Sequence, residues 1–121
     1  MKYWANSESL KNTQQFNSVY NKGKYYANKY LVMYVLKNDL SFNRVGISVS
    51  KKVGNSVVRH RLTRLVRENY RLHEEMFDSG LDIVVVARAS AKGKNYEAIE
   101  SALLHVSNLH GILKKEDGKN D

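Results

Sequence analysis

The stretch from Gly54 to Arg71, GNSVVRHRLTRLVRENYR, holds five arginines and a single acid, Glu68, and Lys51 and Lys52 stand just before it. Guanidinium groups at this density do one kind of chemistry well, because their planar forks of N–H donors match the oxygens of phosphate. A helix needed only for solubility would mix its charges and gain from Glu–Lys pairs four residues apart. Here like charges crowd one another, a cost that bound phosphates would relieve. At about 100° per residue, Val58, Leu62, Leu65 and Val66 gather on one arc, and Asn69 and His73 extend it. Arg59, His60, Arg61, Arg64, Arg67 and Arg71 take the opposite arc. The loop ahead, KKVGNS, adds a glycine turn and backbone N–H groups at a helix start, where anions are favoured. The partner this pattern calls for is a nucleic acid.

Cleavage chemistry is a separate question. A protein nuclease needs two cooperating acid–base groups or a carboxylate-held metal. His60 and His73 lie on different faces of one helix, about 20 Å apart at the helical rise. His105 and His110 are five residues apart, poorly aligned for a common face. Asp78 and Asp82 flank a turn that Gly80 explains without a metal. No catalytic constellation emerges, so the chain is expected to bind and not to cut.

The elements that must position the arginines follow from length and periodicity. With 121 residues the chain suits one domain with a single core. It has no cysteine, which removes disulfides and thiolate metal sites and fits a cytoplasmic protein. No apolar run is long enough to span a membrane, and the first residues lack a secretion signal. The formal charge is +8, unevenly spread. Residues 1–50 carry net +5, residues 51–71 net +6 and residues 72–121 net −3. A polyanion held on one face fits that asymmetry.

Asn12 followed by Gln15 resembles a capping box, with Gly23 closing a helix whose face carries Phe16, Val19 and Tyr20. From Lys24 to Lys37 the period becomes two and predicts one long strand. Leu31, Met33 and Val35 would point one way, and Tyr26, Tyr30, Val32 and Tyr34 the other. RVGISVS, 44–50, predicts a second strand as its antiparallel neighbour. The arginine helix should run from Ser56 to Phe77, with Gly80 as its stop. LDIVVVA, 81–87, has the unbroken apolar run of a strand covered on both faces. Asn95 can cap a last helix that buries Ile99, Ala102, Leu103, Val106, Leu109 and Leu113. Residues 1–113 then form the domain, and 114–121 a disordered tail. Tyrosines facing out from a strand could stack unpaired bases or simply cover the first helix as core.

RVGISVSKKVGNSVVRHRLTRLVRE closely resembles the signature of the bacterial ribonuclease P protein subunit. The resemblance extends to F-x-x-V-Y-x-x-x-G at 16–23, ANKYLVMYV at 27–35 and DIVVVAR at 82–88. His60 stands where that family usually has Asn, and Thr63 where a basic residue is common; a histidine can still donate a hydrogen bond. The resemblance implies an α+β fold, an α/β sandwich of a mostly antiparallel four-stranded sheet with three helices and a left-handed β-α-β crossover. It implies a protein that binds the catalytic RNase P RNA and the 5′ leader of precursor tRNA. Such a protein assists the ribozyme in removing the leader endonucleolytically, and the RNA does the chemistry. Lys51, Lys52, Asn55, Arg59, Arg61, Arg64 and Arg67 map to the RNA-contacting motif, with His60 and Arg71 beside them on the basic arc. Phe16, Tyr20 and Tyr34 map to the leader cleft, and Tyr30 and Val32 join them by strand alternation. Mg²⁺ would serve the RNA–protein holoenzyme, with no protein-only metal site. No membrane and no obligate protein partner are expected.

Two other readings stay open on the residues alone. One is a sequence-specific DNA-binding protein with the arginine helix in the major groove, which needs another helix directly before it. The strand-like GISVS counts against that. The other is a ribosome-associated RNA-binding protein.

Overall fold

The computed structural model describes residues 3–115. The elements run β1 (Ser7–Ser9), α1 (Thr13–Lys22), β2 (Lys24–Ala27), β3 (Leu31–Lys37), β4 (Asn43–Val49), α2 (Ser56–His73), β5 (Leu81–Ala87) and α3 (Tyr96–His110). The sheet has five strands in the order β1-β4-β5-β3-β2. β1 pairs parallel with β4, and β4 with β5; β3 pairs antiparallel with β5, and β2 with β3. The expected four-stranded, mostly antiparallel sheet is therefore a five-stranded mixed one, within the α+β class and with three helices among the described residues. The expectation that β4 would lie beside β3 fails for a definite reason. β5 is buried at six of its seven positions and must be covered on both faces and both edges, so it takes the place between them. Asn38 fixes the join, its N–H donating to Gly80 O at 3.0 Å and its Nδ2 to Asp82 Oδ1 at 2.9 Å.

The single strand expected over 24–37 is a hairpin. Asn28 makes the turn: its Oδ1 accepts from the N–H groups of Tyr30 and Leu31, at 3.1 and 3.0 Å. An asparagine side chain that mimics a backbone turn in this way competes with strand continuation. The reversal changes which residues share a face. Tyr25 lies opposite Tyr34, and Tyr26 opposite Met33.

The sheet buries both faces. On one, Leu31, Met33, Val45, Ile83 and Val85 pack under α2 and α3, where Leu62, Val66, Ile99, Leu103 and Val106 meet them. On the other, Val84 is covered by Leu10, Val19 and the flanking Phe16 and Tyr20 of α1. α1 begins as its sequence dictates: Asn12 Oδ1 accepts from Gln15 N–H at 2.9 Å, and Gln15 Oε1 from Lys11 N–H at 2.6 Å. Gly46 of β4 lets α1 come close, because a Cβ there would sit 2.5 Å from the Phe16 ring.

α2 stops at His73, short of Phe77, and a 3₁₀ turn over Glu74–Met76 follows. Glu74 is needed elsewhere. Its carboxylate accepts from Ala5 N–H, Asn6 N–H and Ser7 Oγ, at 3.1, 2.9 and 2.6 Å, which ties down the start of β1. β1 has no apolar alternation to announce it. In α3, Asn95 caps by accepting from Ala98 N–H, and Gly111 closes in the left-handed conformation. Ile99, Ala102, Leu103 and Val106 are buried as expected, but Leu109 is 43% exposed. Leu113 lies beyond the helix in a bridge with Phe77. Of the tail expected over 114–121, Lys114 is held by its N–H to Met76 O, and 116–121 lie outside the described residues.

Candidate nucleic-acid interface

α2 presents two chemically opposite sides. Leu62, Val66, Asn69 and Tyr70 are buried toward the sheet. Asn55 starts the helix, its Oδ1 accepting from Val58 N–H at 3.0 Å. This makes Asn55 the N-cap, whatever else its exposed amide touches. Lys51, Lys52, His60, Arg61, Arg64 and Arg71 are exposed, and Arg59 and Arg67 are half-buried. The arc expected from periodicity is thus the arc observed.

The cations on it are not equivalent. Arg71 is engaged by Glu68, with Nε donating at 3.0 Å and Nη2 at 2.5 Å. That hydrogen bonding raises the Arg71 guanidinium above its ordinary value and holds the Glu68 carboxyl below its own. Arg59 donates from Nε to Gly54 O at 3.2 Å, which keeps its side chain along the loop 50–55. Arg67 lies over the Tyr3 ring, 4.0 Å from the centroid. Among the described residues, Lys51, Lys52, Arg59, Arg61, Arg64 and Arg67 have no carboxylate within ion-pairing distance. By contrast, Arg44 grips Asp82 bidentately, at 2.8 and 2.7 Å, so its charge is paired within the fold.

A second surface lies across the sheet from α2, beside α1. Tyr20 meets Tyr34 edge-on with centroids 4.9 Å apart, and Phe16 follows at 6.4 Å from Tyr20. Val32 shares this face by strand alternation and is half-buried. Of the five expected cleft residues, Phe16, Tyr20 and Tyr34 therefore come together, and Val32 lies on the same strand face. Tyr30 does not. It stands at the hairpin turn, packs against the main core and lies between Lys29 and Lys94, whose ammonium groups are 5.6 and 5.5 Å from its ring. Tyr26 also faces that side, edge-on to His110 at 4.7 Å. The residue missed is Tyr25, 5.4 Å from Tyr34 and 63% exposed. The signal that would have found it is Asn28, a turn former at the middle of the supposed strand.

Acid–base and metal chemistry find little to build on here. His73 bridges Asn69 O, at 2.7 Å, and Glu100, at 3.0 Å. His110 donates to Met33 O at 2.7 Å, and His105 lies beside Asn28. Among the described residues, no three His, Asp or Glu side chains cluster closely enough to hold a metal ion. No described helix is long and apolar enough to cross a membrane.

The ribonuclease P family model matches residues 4–110. A ribonuclease P protein component from Lachnoclostridium phytofermentans is 67% identical over 111 residues, covering 92% of this chain and 96% of the relative. One from Clostridium botulinum is 45% identical over 104 residues, covering 85% and 94%. Among solved structures, the Staphylococcus aureus RNase P protein superposes with a TM-score of 0.81 at 36% identity, covering 88% of this chain and 97% of that one. The Thermotoga maritima RNase P protein gives 0.75 at 30% identity, covering 81% and 93%. With the arginine face of α2 and the mixed sheet already in place, these likenesses converge: the chain belongs to the ribonuclease P protein family, the protein component of an endoribonuclease.

Proposed function

We propose that α2 and the loop before it hold the catalytic RNase P RNA, while the α1–β3 cleft holds the 5′ leader of precursor tRNA. The RNA cleaves; the protein anchors the leader and so helps remove it to give the mature tRNA 5′ end. The observation that carries this reading is the pair of surfaces on opposite sides of one sheet. One offers unpaired guanidinium and ammonium groups for phosphates. The other offers Tyr25, Tyr34, Tyr20 and Phe16 as flat faces for unstacked bases, which a leader has and a folded tRNA body does not. Lys51, Lys52, Arg59, His60, Arg61, Arg64 and Arg67 are the RNA-facing set, with Asn55 organising the helix start and Arg71 held back by Glu68. Mg²⁺ belongs in this reading to the RNA–protein complex, and the site of action is the cytoplasm. The DNA-binding alternative loses its footing because β4, not a helix, precedes α2.

The test is reconstitution. Rigorously RNA-free protein should leave precursor tRNA intact in Mg²⁺, and addition of RNase P RNA should restore 5′ processing. Metal-dependent 5′ cleavage by the protein alone would overturn the division of labour.

A further inference from the structure

The segment before β1 carries an aromatic ring to the arginine helix. Trp4 is 4% exposed, donates from Nε1 to Arg67 O at 3.2 Å and meets Tyr70 edge-on at 5.2 Å. With Glu74 holding the next two N–H groups, the chain at this point is fixed on α2. Tyr3 is thereby set beside Arg67, whose guanidinium covers one side of its ring, while 46% of the residue stays open. Next to it lies a depression of about 480 Å³ walled by Tyr3, Arg61, Arg64, Leu65, Arg67 and Glu68. That volume is within the range of small-molecule pockets. Both Glu68 oxygens are already engaged by Arg71, so the carboxylate is a neutralised rim.

Phosphate alone would leave unused the half-open Tyr3 ring and the edge of Leu65, which otherwise packs on the core, beside these arginines. A nucleotide uses all of them, because its base needs a flat apolar partner and its phosphate needs a guanidinium. We propose that this depression holds one unpaired nucleotide of the RNA partner, its base stacked on Tyr3 and its phosphate on Arg61 and Arg64. The proposal rests on the reading of α2 as the RNA face. Tyr3 itself precedes the stretch 4–110 that the family model matches.

The experiment is a titration of the full chain against its RNase P RNA at several salt concentrations, for Tyr3→Ala, Tyr3→Phe and Arg64→Ala, with melting temperatures alongside. Loss of one base stack should weaken binding by Tyr3→Ala about tenfold, with the slope of log affinity against log salt unchanged. Tyr3→Phe should bind as the native chain does, because the ring and not the hydroxyl does the stacking. One unpaired nucleotide shielded from base-modifying reagent by the native protein should become reactive with Tyr3→Ala. Native affinity in Tyr3→Ala would overturn the slot, as would a loss accompanied by a shallower salt slope, which would make Tyr3 a brace for Arg67. Arg64→Ala separates the two levels. If it too leaves affinity and slope unchanged, the reading of α2 fails; if it weakens binding while Tyr3→Ala does not, the slot alone fails.

Discussion

In the proposed reading, the arginine face of α2 and the aromatic cleft beside α1 meet RNA by different physics. The first is charge on a rigid rod: its apolar arc is clamped by Leu62, Val66 and Tyr70, so the cations can stay extended and still be positioned. Its affinity for RNA would come from counterion release and fall steeply with salt. The second is shape: rings about 5 Å apart, set by the hairpin register and the fit of α1, with modest salt dependence. A surface that needs only charge tolerates loose side chains. Both surfaces stand on packed elements; the difference is that the cleft rings pack on one another, whereas Arg61 and Arg64 extend into solvent.

That contrast can be broken in several places. The largest effect should come from Arg61→Ala combined with Arg64→Ala. If each contacts one phosphate, the salt slope for the RNA partner shrinks by roughly two units and affinity falls at every salt concentration. The melting temperature should hold, since neither side chain enters the core. An unchanged slope with a lower melting temperature would make these arginines structural.

Tyr34→Ala comes next, weakening precursor tRNA binding by the holoenzyme by about 1–3 kcal/mol while mature tRNA binding barely moves. Gly46→Ala sharpens the same point without removing a ring. The new Cβ would press into Phe16, and overpacking of this kind costs about 1–3 kcal/mol. Calorimetric unfolding should show that loss, and the preference for precursor over mature tRNA should narrow because Phe16 is displaced. A native melting temperature and native preference would mean that α1 shifts freely, against its packing on Val84.

The smallest effect concerns pH. Burial pushes the His110 imidazole below its ordinary value, opposed by its bond to Met33 O and reinforced by the nearby Lys24 ammonium. A base whose folded pKa is depressed binds its proton more readily when unfolded. Stability is therefore complete above the ordinary histidine pKa and declines as pH falls through that value toward the depressed one. His110→Gln should flatten that decline in melting temperature between neutral and mildly acidic pH; an unaltered profile would assign it to other groups.

The two surfaces were also unequally legible in the sequence. The arginine arc could be drawn from spacing alone, because a helix maps sequence onto faces through one fixed period, and Asn12 and Asn95 announce their helices as caps. The cleft depends on chain reversal. Strand alternation has period two, so one unrecognised turn at Asn28 sent Tyr26 and Tyr30 to the wrong face and hid Tyr25. The neighbour of β4 was misjudged because strand order is a tertiary fact. β5, the most apolar strand, takes the central place, and nothing local to 31–49 says so. β1 stayed invisible because its stability comes from Glu74 and β4, both far along the chain, and not from its own residues Ser7, Glu8 and Ser9.

The most direct test of two independent surfaces uses Tyr25, whose exposed ring can be removed without opening the core. Holoenzymes assembled with native protein or Tyr25→Ala would be titrated with the same tRNA bearing or lacking its 5′ leader. The expected result is a weaker grip, by about 1–3 kcal/mol, on the leader-bearing tRNA only. Equal losses for both substrates, or none for either, would contradict a leader cleft built on Tyr25 and Tyr34.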